Sequence, residues 1–126
     1  MKKYSSYEIS GDKNSYHWVL EEAGATVHAF EEFGDYQGSW LAKVTYNGKS
    51  GWIMDYYGSC SGCDAFESEG AYQDRTKQEW TEFAKQFSKD YLEDIRTYEE
   101  VMEKCKENIR WDIDAREMIK WLEEHK

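Results

Sequence analysis

The chain has 126 residues, of which 26 are acidic and 16 basic, and its formal net charge is −10. This charge disfavours direct binding to nucleic acid or to an anionic membrane, because a phosphate surface has to be neutralised by Lys and Arg. The aromatic content of 17% is too high for a disordered chain. We therefore predict one domain, residues 1–126, with an aromatic core and a charged surface.

The cysteine count and the N-terminal residues predict the compartment. Residues 1–4 lead into polar residues and not into the apolar stretch of a signal peptide. No run approaches the roughly eighteen apolar residues that a membrane helix needs. We expect a cytoplasmic protein, without a membrane partner, whose three cysteines are reduced.

The first forty residues give mixed signals. Residues 1–14 are polar and predict a loose start or a short edge strand. Residues 16–20 are aromatic and β-branched and residues 25–30 are similar, so both predict strands. The competing interpretation is one amphipathic helix over residues 18–30, which Gly24 disfavours. Residues 31–39, with two glycines, predict a loop.

A β-hairpin is the clearest element. Residues 40–46 and 49–57 predict strands, and Asn47-Gly48 between them is the preferred pair for a two-residue type I′ turn. In that register Tyr46 lies opposite Lys49, Val44 opposite Gly51 and Ala42 opposite Ile53. One face then holds Trp40, Ala42, Val44 and Ile53. The other holds Leu41, Lys43, Trp52 and Met54, and it too is apolar enough to be partly covered.

Helical periodicity begins after residue 70. Residues 64–69 predict a short helix that ends near Gly70. Capping boxes at Thr76 and Thr97 start two longer helices, and Asp114 resembles a third start. Their apolar stripes are Trp80, Phe83, Ala84, Phe87, Tyr91 and Ile95; Tyr98, Val101, Met102, Cys105 and Ile109; and Ile113, Met118, Ile119 and Leu122. The fold class is α+β: a three- or four-stranded antiparallel sheet in residues 1–70, packed by about three helices in residues 71–126.

The most unusual stretch contains Cys60-x-x-Cys63 after the hairpin, and three interpretations stay open. A thiol pair before a helix is typical of redox sites, but the chain has no proline to supply the cis-proline of thioredoxin-like folds. A zinc site needs four ligands, so Cys60 and Cys63 would bind zinc where a homodimer supplies two cysteines from each chain. The third interpretation is a structural turn, with small residues around the thiols.

No catalytic residue is assigned. The single histidines His17 and His28 lie on predicted strands, which could bring them together. Carboxylates could converge if the 31–39 loop folds over the Cys60 turn, and they would then suit acid–base chemistry or a hard cation; they are Glu31, Glu32, Asp35 and Asp64. A small enzyme would use His28 with Asp35 or Glu32.

Two segments should meet in space. The loop over residues 34–39 and the turn over residues 58–64 flank the same end of the hairpin, so antiparallel pairing brings them together. The binding candidates are Asp35, Tyr36, Gln37, Trp40, Tyr57, Asp64 and Trp121. Trp121 belongs to this set because inward-facing Ile119 and Leu122 would leave it partly exposed, and an exposed Trp is a natural interface anchor.

The same two segments carry a resemblance. Gly34-Asp35-Tyr36-Gln37-Gly38, followed by Gly58-Ser59-Cys60-Ser61-Gly62-Cys63-Asp64-Ala65, resembles small acidic proteins encoded by bacteriophages and prophages. The resemblance covers roughly residues 28–70 and implies no catalytic role. It implies a phage accessory protein, and such proteins often bind and block a host factor.

We therefore hypothesise a non-enzymatic protein that binds or inhibits a host protein, such as a defence or nucleic-acid-handling factor. Its acidic, aromatic-containing surface would meet a basic partner surface or imitate a nucleic-acid backbone. The alternative is a site centred on Cys60 and Cys63, which binds zinc at a dimer interface or acts in thiol redox chemistry.

Overall fold

A three-stranded antiparallel sheet lies at the centre of the computed structural model, which describes residues 1–59 and 64–126. The strands are β1 (Thr26–Gly34), β2 (Gly38–Tyr46) and β3 (Lys49–Tyr57), in the order β1–β2–β3. Asn47 and Gly48 join β2 to β3 with φ angles of 49° and 79°, the positive values that a type I′ turn requires. The predicted register is confirmed by the pairs Tyr46 with Lys49, Val44 with Gly51 and Ala42 with Ile53.

Each face of the sheet is covered by its own pair of helices. On the first face, α2 (Ser15–Glu22) and α3 (Lys77–Glu93) cover Trp40, Ala42, Val44 and Ile53. On the second face, α4 (Tyr98–Glu107) and α5 (Ala115–His125) cover Leu41 and Trp52, with Met54 at the border. The alternation along β2 thus separates two apolar cores, because successive side chains of a strand point to opposite faces. The predicted partial cover of the second face is confirmed.

The predicted α+β class is confirmed as well: the antiparallel sheet is followed by three C-terminal helices. Thr76 and Thr97 start α3 and α4 with complete capping boxes, in which each hydroxyl accepts from the amide of the glutamate three residues on, at 3.1 Å. Helix α5 starts after Asp114 as predicted, although the Asp114 side chain makes no capping hydrogen bond.

The predicted strand over residues 16–20 is wrong, because these residues belong to helix α2. The Asn14 side chain caps this helix by accepting from the Tyr16 amide at 2.8 Å. The segment is apolar on most sides, and periodicity cannot separate a short buried strand from a short buried helix. The competing long helix is wrong beyond Gly24, whose φ of 108° precedes β1.

Two loop predictions also need correction. Residues 1–14 contain α1 (Ser6–Ser10), started by a capping box at Ser5, and Tyr4 pairs with Arg75 as an isolated antiparallel bridge. The predicted loop over residues 31–39 shrinks to residues 35–37, because β1 continues to Gly34 and β2 begins at Gly38.

The connections between helices complete the fold. A π-helical segment, Glu67–Ala71, follows Asp64, and Gly70 within it has a φ of 126°, close to the predicted end of a helix there. Ile109 and Ile113 were predicted to be apolar stripe residues, but they lie between α4 and α5 and are 38% and 91% exposed. Within residues 1–59 and 64–126, no helix has the length and apolarity that crossing a membrane would require.

Candidate functional site

The Gly34-Asp35-Tyr36-Gln37-Gly38 segment is a tight turn between β1 and β2. Gly34 has a φ of 100°, and a Cβ atom there would lie 2.4 Å from the Gln37 carbonyl oxygen. A Cβ atom at Gly38 would lie 1.9 Å from the Phe33 carbonyl oxygen. The two glycines therefore let the chain reverse within three residues, and Tyr36 stands at the tip, 82% exposed.

The turn and the start of the Gly58 segment line one cavity of about 610 Å³, with Asp35, Tyr36 and Gln37 on one side and Ser59 on the other. The sheet register causes this contact, because Gly38 pairs with Tyr57 at the end of β3. The Tyr57 hydroxyl also donates to the Phe33 carbonyl at 2.8 Å and ties β3 to β1. The two segments thus lie on the same cavity at Ser59, and a contact through residues 60–63, which are outside the described residues, stays a prediction.

The rest of the cavity lining comes from the segment between α4 and α5 and from α5 itself. Ile113, Asp114 and Glu117 complete the lining, and Trp111, two residues before Ile113, is 79% exposed. Sequence reasoning missed this contribution because it assigned Ile113 to an apolar helical stripe. We call this surface the acidic end; it consists of Asp35, Tyr36, Gln37, Ile113, Asp114 and Glu117.

Like charges crowd the acidic end. Partial burial raises the pKa of the Asp114 carboxyl, and the nearby carboxylates of Asp112, Glu117 and Asp35 raise it further. Among residues 1–59 and 64–126, the salt bridges lie elsewhere, at Glu21 and Asp94. No carboxylate of the acidic end therefore forms a salt bridge within the described part of the chain.

Asp64 has a structural task. It is 7% exposed, and its Oδ1 accepts from the Tyr16 hydroxyl at 2.8 Å and from the Gly58 amide at 2.9 Å. Its Oδ2 accepts from the Glu67 amide at 3.1 Å. One buried carboxylate thus joins the end of the hairpin, the start of the following helical segment and the aromatic core. Burial raises the pKa of the Tyr16 hydroxyl, and its bond to Asp64 adds to that rise.

Three of the seven predicted binding residues are therefore buried. Trp40 is 0% exposed and stacks on Tyr16, with 5.2 Å between ring centroids. The expected exposure of Trp121 is wrong: it is 9% exposed and packs edge-on against Trp52, because it shares the inner face of α5 with Met118 and Leu122. Trp40, Asp64 and Trp121 support the molecule from inside, whereas Asp35, Tyr36 and Gln37 are at the surface and Tyr57 is half-buried.

Cys60 and Cys63 lie outside the described residues, so their zinc-binding, redox and structural interpretations stay predictions. Cys105 lies in the second core, where its Sγ is 3.8 Å from the Met54 Sδ and burial raises the pKa of the thiol to about 11. Within residues 1–59 and 64–126 there is no group of three or more His, Cys, Asp or Glu side chains that could hold a metal ion. The predicted convergence of Glu31, Glu32, Asp35 and Asp64 into a cation site is thus not found.

The histidines are not brought together. His17 stacks on Phe30 on the first face of the sheet, with 5.1 Å between ring centroids, and its Nε2 lies 3.3 Å from Glu21. The His28 Nε2 lies 2.8 Å from the Thr45 hydroxyl instead of near a carboxylate. The Glu32 carboxylate accepts from the side-chain amide of Asn14 at 2.6 Å, and Asp35 lines the cavity described above. The hypothetical pairing of His28 with either residue is therefore not formed.

Comparison of the chain with protein-family models, curated proteins and solved structures gave no match.

Proposed function

We propose that the chain is a small phage-type accessory protein that binds a host protein through the acidic end and catalyses no reaction. The observation that carries the proposal is the pairing of exposed apolar side chains with carboxylates around one cavity. Tyr36 and Ile113 are 82% and 91% exposed, and Asp35, Asp114 and Glu117 lie between or beside them.

Both features favour a covered state. Large apolar side chains gain free energy when a partner removes them from water. Crowded carboxylates repel one another, and a basic partner surface would relieve this repulsion. Since the same few residues hold both features, a single partner surface with basic residues around an apolar patch satisfies both.

The local structure suits recognition without rearrangement. The turn that carries Tyr36 is held at its base by the pairing of Gly34 with Gly38 and by the hydrogen bond from Tyr57 to Phe33. A surface fixed before binding loses little conformational entropy when the complex forms. Aromatic side chains such as Tyr36 and Trp111 are also the commonest energetic anchors of protein interfaces.

The class of partner follows from charge. A host factor that handles nucleic acid, as many defence factors do, presents a basic surface that is adapted to phosphate. The net charge of −10 and the resemblance to phage accessory proteins favour such a factor over an acidic or neutral partner. Binding of this kind strengthens at low ionic strength and weakens as salt is added.

The proposal is tested by affinity capture from bacterial lysate with three baits: the wild-type chain, an acidic-end variant and a control. The acidic-end variant is Tyr36→Ser with Ile113→Ser. The control is Tyr7→Ser with Tyr72→Ser, which removes two tyrosines that are 78% and 68% exposed and lie outside the cavity lining. We expect one salt-sensitive protein on the wild-type and control baits and its loss from the acidic-end bait.

Two results would overturn the proposal. One is a wild-type bait that retains no specific protein at low ionic strength. The other is a protein that the acidic-end bait retains as well as the wild type does. Photo-crosslinking from position 36, compared with position 72, then identifies which surface contacts the captured protein.

A further inference from the structure

A second groove lies at the other end of the sheet, on its second face, between the strands and the start of α4. Its volume is about 570 Å³. We call it the Ser50 groove; the side chains that define it are His28, Lys43, Thr45, Ser50, Trp52 and Tyr98. None of these residues belongs to the acidic end.

A chain of hydrogen bonds crosses all three strands in this groove. The His28 Nε2 lies 2.8 Å from the Thr45 hydroxyl, which in turn lies 2.8 Å from the Ser50 hydroxyl. His28 is the extra residue of a β-bulge, because Val27 pairs with Val44 and Ala29 already pairs with Lys43. Bulges redirect side chains and are common beside binding sites, and this one brings the imidazole to the hydroxyl pair.

The lining of the Ser50 groove contains no carboxylate among the described residues, although the chain has 26 acidic residues. Four other cavities of the described chain all include carboxylates. Their acidic lining residues are Glu93; Glu69 and Asp90; Glu31, Glu32, Glu117 and Glu124; and Asp35, Asp114 and Glu117. The Ser50 groove is therefore the one of these five in which a lysine lines the cavity without a carboxylate, whereas Lys85 and Lys89 accompany Glu93 in another.

A lysine and two aromatic side chains of the groove lie close to one another. The Lys43 ammonium donates to the His125 carbonyl at 2.9 Å and lies 5.6 Å from the centre of the Trp52 ring. Trp52 and Tyr98 pack edge to face, with 6.0 Å between centroids. A cation is thus fixed beside an aromatic wall, a few residues along the strands from the two hydroxyls.

We infer that the Ser50 groove binds a small organic anion, a carboxylate or phosphate attached to an aromatic ring. The His28 Nε2–H donates to the Thr45 hydroxyl and Thr45 donates to Ser50, which leaves the Ser50 hydroxyl proton to donate to the anionic group. The Lys43 charge favours the anion. The hydroxyl of Thr45 accepts from one neighbour and donates to the other, so it sets the direction of both. The ring of the ligand lies beside the half-buried Tyr98, which itself packs on the buried Trp52. This inference does not depend on the proposed host partner.

The test is titration of the isotope-labelled chain with phenyl phosphate, followed by NMR. We expect saturable shifts confined to the amides of Thr45, Ser50 and Gly51 and to the Trp52 indole. Sodium benzoate and inorganic phosphate separate the contributions of the two anionic groups and of the ring. Benzyl alcohol, which has the ring without the charge, should bind at least about tenfold more weakly, because hydrogen bonds to charged groups are the strong ones.

Two variants locate the site. His28→Ala and Ser50→Ala change exposed residues and should each weaken phenyl phosphate binding about tenfold. His17→Ala is the matched control, since His17 lies on α2 against Phe30, and it should leave binding unchanged. The inference is overturned if phenyl phosphate gives no saturable shifts, if the shifts scatter over surface lysines, or if both groove variants bind as tightly as the control.

Discussion

The two ends of the sheet hold cavities of similar volume, about 610 Å³ at the acidic end and about 570 Å³ at the Ser50 groove. At the acidic end, apolar side chains project from turns and carboxylates crowd beside them. In the groove, hydroxyls and an imidazole lie on the strands themselves, and Trp52, 4% exposed, forms a buried wall. The volume of a cavity therefore does not indicate what binds there. Whether its lining residues lie on projecting turns or on strands is more informative.

The two surfaces suit different kinds of ligand. Projecting turns form a wide exposed surface that a protein can cover. Their apolar side chains are accessible to a partner without any rearrangement. A recessed strand face leaves room for a small molecule and fixes polar groups through main-chain pairing. Substitutions at the two ends of the sheet and in the cores behind them test this contrast.

The largest effect is expected from Gly38→Ala. The added Cβ would meet the Phe33 carbonyl at 1.9 Å, so the backbone must move, and we expect a loss of about 3 kcal/mol in unfolding free energy. Gly48→Ala is the control in the opposite turn: its φ is 79° but its Cβ meets nothing within 4 Å, so the loss should be about 1 kcal/mol. Urea unfolding measures both.

Host capture should fail in Gly38→Ala, while phenyl phosphate binding persists under conditions where the variant is folded. Equal destabilisation by the two alanines would show that the Gly34 and Gly38 turn is not tightly constrained. Loss of both kinds of binding would show that the two ends are not independent.

The next effect concerns the buried carboxylate behind the acidic end. Asp64→Ala removes three hydrogen bonds, from Tyr16, Gly58 and Glu67, and should lower the unfolding free energy by about 2 to 3 kcal/mol. Tyr16→Phe removes one of these donors and should cost about 1 kcal/mol. Thermal unfolding followed by near-ultraviolet circular dichroism reports both, and an Asp64→Ala variant as stable as wild type would contradict the anchoring role.

A smaller effect, with a defined sign, is expected at Asp114. Burial and neighbouring carboxylates raise its pKa, so the folded chain binds this proton more tightly than the unfolded chain does. The contribution of this proton to the unfolding free energy is fully present below the ordinary pKa of an aspartate. It is lost as pH rises through the raised pKa of the folded chain. Asp114→Asn should therefore gain stability relative to wild type between pH 3 and pH 7, by less than about 1 kcal/mol because the group is only partly buried.

Glu79 provides a control of opposite sign. Hydrogen bonds from the Thr76 amide and hydroxyl lower its pKa, so its contribution is present at neutral pH and is lost as pH falls. As pH rises from 3 to 7, the unfolding free energy of Glu79→Gln should therefore fall relative to that of wild type. If the two variants shift in the same direction, the charge environment assigned to Asp114 is wrong.

The smallest effect is expected at Cys105, whose buried thiol has a pKa of about 11. Because the thiolate is the reactive form, a thiol reagent at neutral pH should leave Cys105 unmodified in the folded chain. The native thiol count of Cys105→Ala should equal that of wild type, and the counts should differ by one after unfolding.

A lower native count in Cys105→Ala would contradict this assignment. Native mass spectrometry of the same samples measures bound zinc, and half a mole per chain in a dimer would support the zinc interpretation of Cys60 and Cys63. A metal-free protein with all three thiols reduced would favour the structural interpretation of that turn.

The candidate site was only partly predictable. The contact between the Gly34 and Gly58 segments follows from antiparallel pairing, and Asp35, Tyr36 and Gln37 lie where two strands had to be joined. Trp111, Ile113 and Asp114 were not predictable, because a short apolar stretch between helices looks the same whether it is buried or exposed. Trp121 was misjudged because its place on α5 depends on how that helix rotates against the second core.

The sequence by itself determined the hairpin with its register, the three helix starts and the α+β class. These follow from local chemistry: a type I′ turn needs Asn-Gly, and a capping box satisfies free amides within four residues. Only the tertiary structure decided that residues 16–20 are helical and that Asp64 accepts a hydrogen bond from the distant Tyr16. It also decided that carboxylates collect at one end, while the described residues place none in the groove at the other. Those outcomes depend on which surfaces pack together, and neighbouring residues along the chain do not encode that choice.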